Sequence, residues 1–488
     1  MYAMPYQCLA ELLEKLEELG ELVRVEARVD AEHEVAEISR RIAQRNGPAL
    51  LFGDVEGARH PVLTNLLGSE RRICLALGVS SLQEVCQRVA DAASPPEPEG
   101  WFDKIKSSAS RGALRKLPPK QVKTGACQQV VRLGEDVGLA ELPALRACAD
   151  EPGLTITAGQ IILADAETGH QHAGRYDLRV LDRNRLAVCW YPHEDPVRLL
   201  AGYQLRKAKM PVAAVLGGHP AALLASMAPL PPDADAYALA GLLRDRPIEL
   251  VPGRSVPLAV PTDAEMVLEG FIDPEEPPVE FGLVAVANGV LVPGPPSPVI
   301  HVTAWTHRSN PIYPALVRGK PPNEEVAIAR AIQQIVLPLV RLAVPELVAY
   351  DFPVFGAARH WAVVSIRKQY AGQARRVASG LWGLRQMMFV KFLVIVDEEV
   401  PVADAAAVGA AVALHADPDR DVLVQKGPPD PWDPASAPDQ LGRRMAVDAT
   451  RKLRGESAAE AVRPIQPSPE IRRLVEDRWS EYGLGGGV

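Results

Sequence analysis

The N-terminal residues alternate between helical and strand-like spacing of their apolar side chains. Leucines recur every three or four positions over residues 9–19, which predicts an amphipathic helix that ends at Gly20. Residues 22–29 then alternate between apolar and polar side chains, as in a half-buried strand. A second helix over residues 30–47 and a short strand over 49–52 follow, so the chain begins as an α/β structure.

Two changes in pattern divide the rest of the chain. Proline-rich and basic residues over 94–120 indicate a linker, after which short apolar runs separated by Gly, Pro and Asp continue to about residue 320. Many short strands of this kind are typical of a barrel or sandwich-like β domain. Helix and strand patterns alternate again beyond them, which predicts parallel strand pairing. We therefore expect three regions, residues 1–120, 121–322 and 323–488.

Composition and charge limit the classes of protein that fit this pattern. The 488 residues are 47% hydrophobic and 23% charged, the balance of a globular protein with more than one core. The formal net charge of −8 argues against a nucleic-acid partner, which would require a basic surface. We expect no secretory signal and no transmembrane segment, because neither pattern stands out in the sequence. Scattered cysteines without a C-x-x-C pair indicate free thiols, so we expect a cytoplasmic protein.

Two groups of side chains carry candidate chemistry. Glu275 and Glu280 flank a pair of prolines just before an apolar strand, where extended backbone can direct a carboxylate into a pocket. A solvated acidic loop is the alternative interpretation. His170 and His172 share one face of an extended segment and, with Cys189, are residue types that bind transition metals. Their spacing matches no closed zinc site, so surface or core histidines are the alternative.

A glycine-rich turn is the remaining candidate. Residues 217–220, GGHP, follow an apolar strand, and their backbone N–H groups could approach a phosphate, although a simple turn also explains them. The sequence contains no P-loop, no G-x-S-x-G elbow and no G-x-G-x-x-G between a strand and a helix. Motifs alone therefore indicate a large α/β enzyme and nothing more specific.

Blocks of sequence along nearly the whole chain resemble the UbiD family of decarboxylases. They are most similar to the branch that decarboxylates 4-hydroxy-3-polyprenylbenzoate in ubiquinone biosynthesis. The blocks occur in the family's order and cover residues 142–169, 217–220, 236–244, 260–270, 311–325, 365–377, 384–400, 416–422 and 445–456.

The resemblance implies an α/β (α+β) fold with three parts. These are an N-terminal α/β segment, a central split β-barrel of the flavin-reductase type that binds the cofactor, and a C-terminal α/β domain used in oligomerisation. It also implies a homodimer or a higher oligomer. The implied reaction is loss of CO₂ from an aromatic or α,β-unsaturated acid. Prenylated FMN would act as the electron sink, with Mn²⁺ or a similar divalent metal, and a flavin prenyltransferase would supply the cofactor.

The family's motifs assign roles to particular positions of this chain. The motif E-G-P-F/Y-G-E/D aligns on residues 275–280, which implies that Glu280 protonates the substrate carbon and that Glu275 is its network partner. The motif N-x-G-I-Y-R aligns on residues 172–177, with His172 at the position of a metal ligand. The residues at cofactor-binding positions are Gly174, Arg175, Tyr176, Asp177, Cys189, Trp190, Tyr191 and His193.

This chain also departs from the family pattern. Asp177 replaces an arginine, and repulsion from it would raise the pKa of Glu280, while Arg175 on the same strand face could compensate. Glu194 and Asp195 replace Arg-Gly, and Ala236 replaces the metal-ligand Glu, with Asp235 beside it.

These departures leave two functions open. The first is a decarboxylase that uses Glu280, acting on a substrate such as a 4-hydroxy-3-polyprenylbenzoate-like quinone precursor. The second is a catalytically degenerate paralogue that serves as a binding or structural subunit of a hetero-oligomer with a related chain.

Overall fold

The structure is a computed structural model that describes residues 6–93, 117–232, 234–385, 387–436, 441–456, 465 and 467–483. Most of the predicted linker and the glycine-rich C-terminus lie outside the described residues. The α-helices of the described part are α1 (Leu9–Glu18), α2 (Glu34–Gln44), α3 (Glu70–Leu77), α4 (Leu82–Ala93), α5 (Asp195–Arg206), α6 (Pro220–Met227), α7 (Ala236–Arg244), α8 (Glu324–Ala343), α9 (Gln373–Trp382), α10 (Ala405–His415) and α11 (Pro469–Asp477).

The strands follow the three regions of the chain. Those of the first region are β1 (Leu22–Val25), β2 (Ala49–Phe52) and β3 (Val62–Thr64). Those of the second are β4 (Lys120–Gln121), β5 (Val130–Leu133), β6 (Thr155–Ile156), β7 (Gln160–Ala164), β8 (Gln171–Arg175), β9 (Leu178–Val180), β10 (Arg185–Val188), β11 (Met210–Leu216), β12 (Glu249–Pro252), β13 (Ala259–Pro261), β14 (Met266–Ile272), β15 (Val279–Glu280), β16 (Leu283–Ala285), β17 (Leu291–Pro293), β18 (Pro296–Ser297), β19 (Val299–His307) and β20 (Tyr313–Ala315). Those of the third are β21 (Leu347–Asp351), β22 (Trp361–Ile366), β23 (Phe392–Asp397), β24 (Val422–Gly427) and β25 (Gly442–Asp448).

The N-terminal region has the helix and strand order that its periodicity predicts. The apolar face of α1 is buried, and β1 pairs in parallel with β2. The sheet order is β1-β2-β3-β20, so its last strand comes from a much later part of the chain. The parallel pairing of β20 with β3 therefore joins the first region to the second.

A nine-stranded antiparallel sheet dominates the middle of the chain. Its strand order is β6-β9-β10-β19-β14-β11-β7-β8, with β5 paired to β19, and the sheet curls into a half-barrel. The register shifts between Glu269 and Gly270, where β14 passes very close to β19. A Cβ at Gly270 would lie 2.1 Å from the carbonyl oxygen of His301, so only glycine fits this crossing.

The C-terminal region is a five-stranded sheet in the order β21-β22-β23-β25-β24. The predicted parallel pairing is confirmed for β22 with β23 and for β23 with β25. Both edge strands are antiparallel to their neighbours. The helices α9 and α10 contact this sheet, as expected for alternating helices and strands.

The helix α8 connects the regions. Among the described residues it is the one helix long and apolar enough to cross a membrane, by length and composition alone. It packs against α4, and Ile328, Ile335 and Val340 are buried in the protein interior, which accounts for its apolar composition. Asn323 caps its N-terminus by accepting a hydrogen bond from the Val326 amide at 3.0 Å. This cap fixes the first turn, which carries the buried side chains Glu324 and Glu325.

Candidate active site

A cavity of about 300 Å³ lies where the central sheet, α8 and the C-terminal region meet. The end of β8 and the starts of α5 and α7 form one side, and the other side is formed by Ala357, Ala358, Arg359, Arg385, Met388 and Phe389. A second cavity of about 120 Å³ shares Arg175, Tyr176, His193, Glu194, Arg359 and Trp432 with the first. The two cavities are therefore neighbouring parts of one site.

Four buried charges form a closed ring behind the cavity wall. Nη1 of Arg175 donates to Asp177 Oδ1 at 2.7 Å, and its Nη2 donates to Glu325 Oε1 at 2.7 Å. Arg318 donates to Asp177 through both Nη atoms, at 2.6 and 3.0 Å, and its Nε donates to Glu325. None of the four side chains is more than 7% exposed. The ring fixes the end of β8 against the first turn of α8.

The arginines of the ring keep the Glu325 carboxyl group ionised. Burial alone would raise the pKa of Glu325, but Arg318 and Arg175 lower that pKa to about 2. Asp177 accepts hydrogen bonds from the same two arginines. Arg175, which we expected to compensate for the arginine that Asp177 replaces, thus pairs with Asp177 itself, and Arg318 joins from outside the motif. The charge of Asp177 is balanced within the ring by these two guanidiniums.

His172 belongs to a second polar group at the cavity edge. Its Nε2 lies 3.2 Å from Tyr176 Oη, and its Nδ1 lies 4.0 Å from Asp195 Oδ2. Burial lowers the pKa of His172 to about 4, although Asp195 opposes the shift, so the imidazole is neutral at neutral pH. Arg385 donates to Asp195 Oδ2 at 2.5 Å.

The predicted metal site has no ligand set in the part of the chain that the structure describes. No group of three or more His, Cys, Asp or Glu side chains there is arranged to hold a metal ion. Asp235 caps α7 by accepting from the Tyr237 amide at 2.8 Å, and Ala236 lines the cavity without a ligand atom. His170 is exposed, outside both cavities.

An arginine between two aromatic rings forms the C-terminal wall. The guanidinium of Arg359 lies 4.6 Å from the ring centre of Phe389 and 4.3 Å from that of Trp432. It also donates to both carboxylate oxygens of Asp430, at 2.6 and 2.9 Å. The bidentate pair fixes the guanidinium plane, so the aromatic wall is rigid.

Glu194 is the carboxylate that faces both cavities. It is half-buried at the N-terminus of α5, where its Oε2 accepts from the Tyr191 amide at 2.8 Å. Burial raises the pKa of Glu194 to about 7, against the opposing effect of Arg175, Arg359 and Arg385. The sequence showed Glu194 only as a departure from the family pattern and gave it no role.

Glu275 and Glu280 lie outside this site. Both side chains are exposed and neither lines the two cavities. In β15 successive side chains point to opposite faces, and the neighbour Phe281 is 1% exposed, so Glu280 points to solvent. Glu275 instead lines a shallow surface depression beside Glu276 and His301. The structure thus separates these carboxylates from the cofactor-binding positions with which the resemblance grouped them.

The other predicted cofactor-binding positions lie close together. The larger cavity contacts Gly174, Arg175, Tyr176 and His193, and the smaller one adds Asp177, Cys189 and Tyr191. Trp190 lines neither cavity and packs in the core, with its ring 6.2 Å from that of Tyr176.

The GGHP turn has a structural explanation. His219 accepts a hydrogen bond from the Ala221 amide at the start of α6, and its ring stacks on Tyr6. Neither cavity includes the turn.

Several residues of the site were missed by the sequence analysis. Arg318 and Glu325 lie inside a matching block, at residues 311–325, but no local spacing marks them as partners of a strand some 140 residues earlier. The remaining missed residues are Arg359, Arg385, Phe389 and Trp432, which belong to loops of the C-terminal region.

Family models match three successive parts of the chain. These are the N-terminal domain (residues 13–90), the Rift-related domain (120–321) and the C-terminal domain (326–449) of 3-octaprenyl-4-hydroxybenzoate carboxy-lyase. The chain belongs to the UbiD family. A relative from Aquifex aeolicus (strain VF5), described as an uncharacterized protein, is 38% identical over 482 residues, which is 98% of this chain and 99% of that protein.

Solved structures of UbiD-class decarboxylases share the fold over the whole length. Vanillic acid decarboxylase of Sedimentibacter hydroxybenzoicus in closed form is 25% identical, with a TM-score of 0.87 over 99% of this chain and 100% of that one. The same enzyme in open form gives a TM-score of 0.78. An evolved dimeric form of HmfF from Pelotomaculum thermopropionicum, in complex with prenylated FMN, is 27% identical, with a TM-score of 0.76 over 96% of this chain and 98% of that one.

Proposed function

We propose that the chain is a carboxy-lyase that removes CO₂ from an aromatic or α,β-unsaturated acid in the larger cavity. The observation that carries the proposal is the cavity itself, which lies between the central and C-terminal regions of a chain that is more similar to the closed form of a decarboxylase, with a TM-score of 0.87, than to its open form, with 0.78. Its wall combines guanidinium groups with the rings of Phe389 and Trp432, which suits an aromatic carboxylate.

The lining of the cavity suits the ring of an aromatic acid. At about 300 Å³ the cavity lies at the lower limit of ordinary ligand pockets, which span roughly 300–1,000 Å³. The same site would also hold the flavin, so its volume does not decide between a small aromatic acid and the polyprenylated quinone precursor that the resemblance suggested. Apolar contacts would come from Met227, Leu230 and Ile332.

Prenylated FMN fits the ring-binding part of the site. The aromatic wall and the small side chains of Ala287, Ala357 and Ala358 suit a flat ring system. Nη1 of Arg359 and Nη2 of Arg385 make no hydrogen bond with any described residue, so these N–H groups could hold the phosphate. Mn²⁺ does not fit, since the described residues supply no ligand set for it. When bound, the flavin supplies the electron sink for decarboxylation.

The same proposal has consequences for the source of the cofactor and for the oligomeric state of the protein. A flavin prenyltransferase would make the cofactor, and the protein would act in the cytoplasm. We also expect a homodimer or a multiple of one, as the HmfF form is dimeric. The helix α11 supports this expectation, because no residue of it is buried while Ile471 and Leu474 are about half exposed.

A second function is favoured by one specific observation. Each cavity arginine already pairs with a carboxylate, namely Arg175 with Asp177 and Glu325, Arg359 with Asp430, and Arg385 with Asp195. A chain with its cations neutralised in this way could be a binding or structural subunit beside an active relative.

Reconstitution distinguishes the two functions. The chain would be produced together with a flavin prenyltransferase, purified, and tested for bound flavin absorbance and for CO₂ release from a panel of hydroxylated aromatic acids. We expect flavin binding and turnover by the purified chain alone. Flavin binding without turnover, restored only when a second UbiD-type chain is added, would support the subunit function instead. A protein that binds neither flavin nor acid would contradict both.

A further inference from the structure

Glu194 differs from the other carboxylates in and behind the cavity wall. Within the described ranges, those other carboxylates are all paired with arginine, namely Asp177, Asp195, Glu325 and Asp430. Glu194 forms no ion pair within 4 Å with any described residue. Glu194 is thus the acid of the site whose charged form is not stabilised by an ion pair with a described arginine.

The backbone fixes Glu194 in position. Its Oε2 accepts from the Tyr191 amide at 2.8 Å, and its own amide donates to the Tyr191 carbonyl at 3.0 Å. This reciprocal contact closes a tight turn at the start of α5. The other oxygen, Oε1, has no hydrogen-bond partner among the described residues, and the side chain contacts both cavities. A carboxyl group with one oxygen anchored and the other open is well placed to deliver a proton.

The surroundings of Glu194 set its proton affinity. Burial is the largest influence and raises its pKa to about 7, and the guanidiniums of Arg175, Arg359 and Arg385 act in the opposite direction. Arg385 also pairs with Asp195, the next residue in the chain. Glu194 therefore carries a proton in a large fraction of molecules at neutral pH.

Two further titratable groups face Glu194. The pKa of Tyr176 is raised, chiefly by burial and then by Glu194. The pKa of Cys189 is raised by burial, then by Asp177 and Glu194. Both are neutral at neutral pH, so they add no charge that competes with the carboxyl group.

We infer that Glu194 is the proton donor of this cavity, an inference that rests on the proposed decarboxylation. The bond between the substrate carbon and its carboxylate breaks, and CO₂ leaves. The electron pair of that bond ends in a new C–H bond at the same carbon, whose proton comes from Glu194 Oε1. The carboxylate formed on Glu194 then recovers a proton from water.

This assignment keeps the charge of the cavity constant. The substrate brings one negative charge, which disappears when CO₂ leaves, and Glu194 gains one negative charge in the same step. The guanidiniums of Arg175, Arg359 and Arg385 face both anions in turn, so they stabilise the site before and after the proton moves.

Infrared difference spectroscopy on the cofactor-free protein tests the acid directly. Burial also raises the pKa values of Glu265 and Glu324 to about 7, so the signal of Glu194 is the part of the protonated-carboxyl band that the wild-type protein has and Glu194→Gln lacks. That part should disappear as the pH is raised through about 7, and it should be unchanged in the surface control Glu167→Gln. If wild type and Glu194→Gln show the same band at every pH, or if the difference between them does not titrate in this range, the inference is overturned whether or not the protein has activity.

Turnover of the flavin-loaded protein completes the test. Glu194→Gln should lower kcat by about 10²–10⁴-fold, with KM little changed, and Glu194→Asp should recover part of the loss. Near-normal kcat in Glu194→Gln, with a large loss in Glu280→Gln, overturns the inference in favour of the residue that the family motif selects. If the loaded wild-type protein releases no CO₂ while the infrared titration is seen, the proposed decarboxylation fails and not the protonation of Glu194.

Discussion

Two groups of acidic side chains in this protein lie in opposite environments. Around the cavity, Asp177 and Glu325 are nearly inaccessible to solvent and pair with buried arginines. In the segment that contains β15, Glu275 and Glu280 are exposed and outside the cavity. The comparison shows that the chemical state of an acid depends on burial and on its partners, and that alignment with a motif does not establish either.

Arg318→Met should have the largest effect, because it leaves Asp177 and Glu325 with an uncompensated buried charge. We expect the free energy of unfolding to fall by about 3–5 kcal/mol, measured by urea denaturation. The matched control is Arg28→Met, which removes an exposed ion pair with Glu56 and should cost less than about 1 kcal/mol. If both variants lost the same free energy of unfolding, the buried ring would be no more important for stability than an exposed ion pair, which would contradict the prediction.

Arg359→Ala should weaken binding of aromatic acids by about tenfold or more. The substitution removes the guanidinium between Phe389 and Trp432 and frees Asp430 from its bidentate partner. Quenching of tryptophan fluorescence would measure the binding. Arg359→Lys keeps the charge without the planar fork, so it should recover only part of the affinity. Full affinity in Arg359→Ala would show that this wall does not contact the acid.

The pH dependence of stability should differ between wild type and Glu194→Gln. The pKa of Glu194 is raised from 4.5 to about 7 in the folded protein, so its contribution is complete below 4.5 and is lost as the pH rises to about 7. The wild-type protein should therefore lose stability relative to the variant across this window. Denaturation at a series of pH values measures the difference, and a constant offset would contradict the raised pKa.

Glu280→Gln should have the smallest effect on stability. The side chain is exposed and forms no ion pair with a described residue, so the free energy of unfolding should change by less than about 0.5 kcal/mol. Thermal unfolding with Glu275→Gln as the companion variant measures it. A loss of several kcal/mol would mean that Glu280 is buried in solution.

The periodic spacing of apolar residues was sufficient to predict many elements of the fold. The spacing of leucines predicted α1, and alternating helices and strands predicted the parallel core of the C-terminal sheet. The family resemblance brought residues 172–177 to a common site. Periodicity carried no information on the edge strands β21 and β24, whose direction depends on how the chain returns to the sheet.

The candidate site was only partly predictable, for a physical reason. The environment of Asp177 depends on Arg318, which lies far away in sequence and whose pairing no local pattern encodes. The outward direction of Glu280 accompanies the burial of Phe281, the residue directly after β15, and a one-residue change in strand phase would reverse it. The spacing of residues in a motif therefore did not predict the environment of Asp177 or the direction of Glu280, because these depend on long-range partners and on strand phase.

The first turn of α8 has a consequence for how the protein unfolds. Glu324 accepts from the Leu67 amide of the N-terminal region at 2.7 Å, while its neighbour Glu325 holds the arginines of the central region. Two adjacent residues therefore tie a single helical turn to two regions, and the rest of α8 continues toward the third. Separate melting of any one region would break this junction, so the three regions should behave as one cooperative unit in hydrogen exchange, with the Leu67 amide among its slowest members.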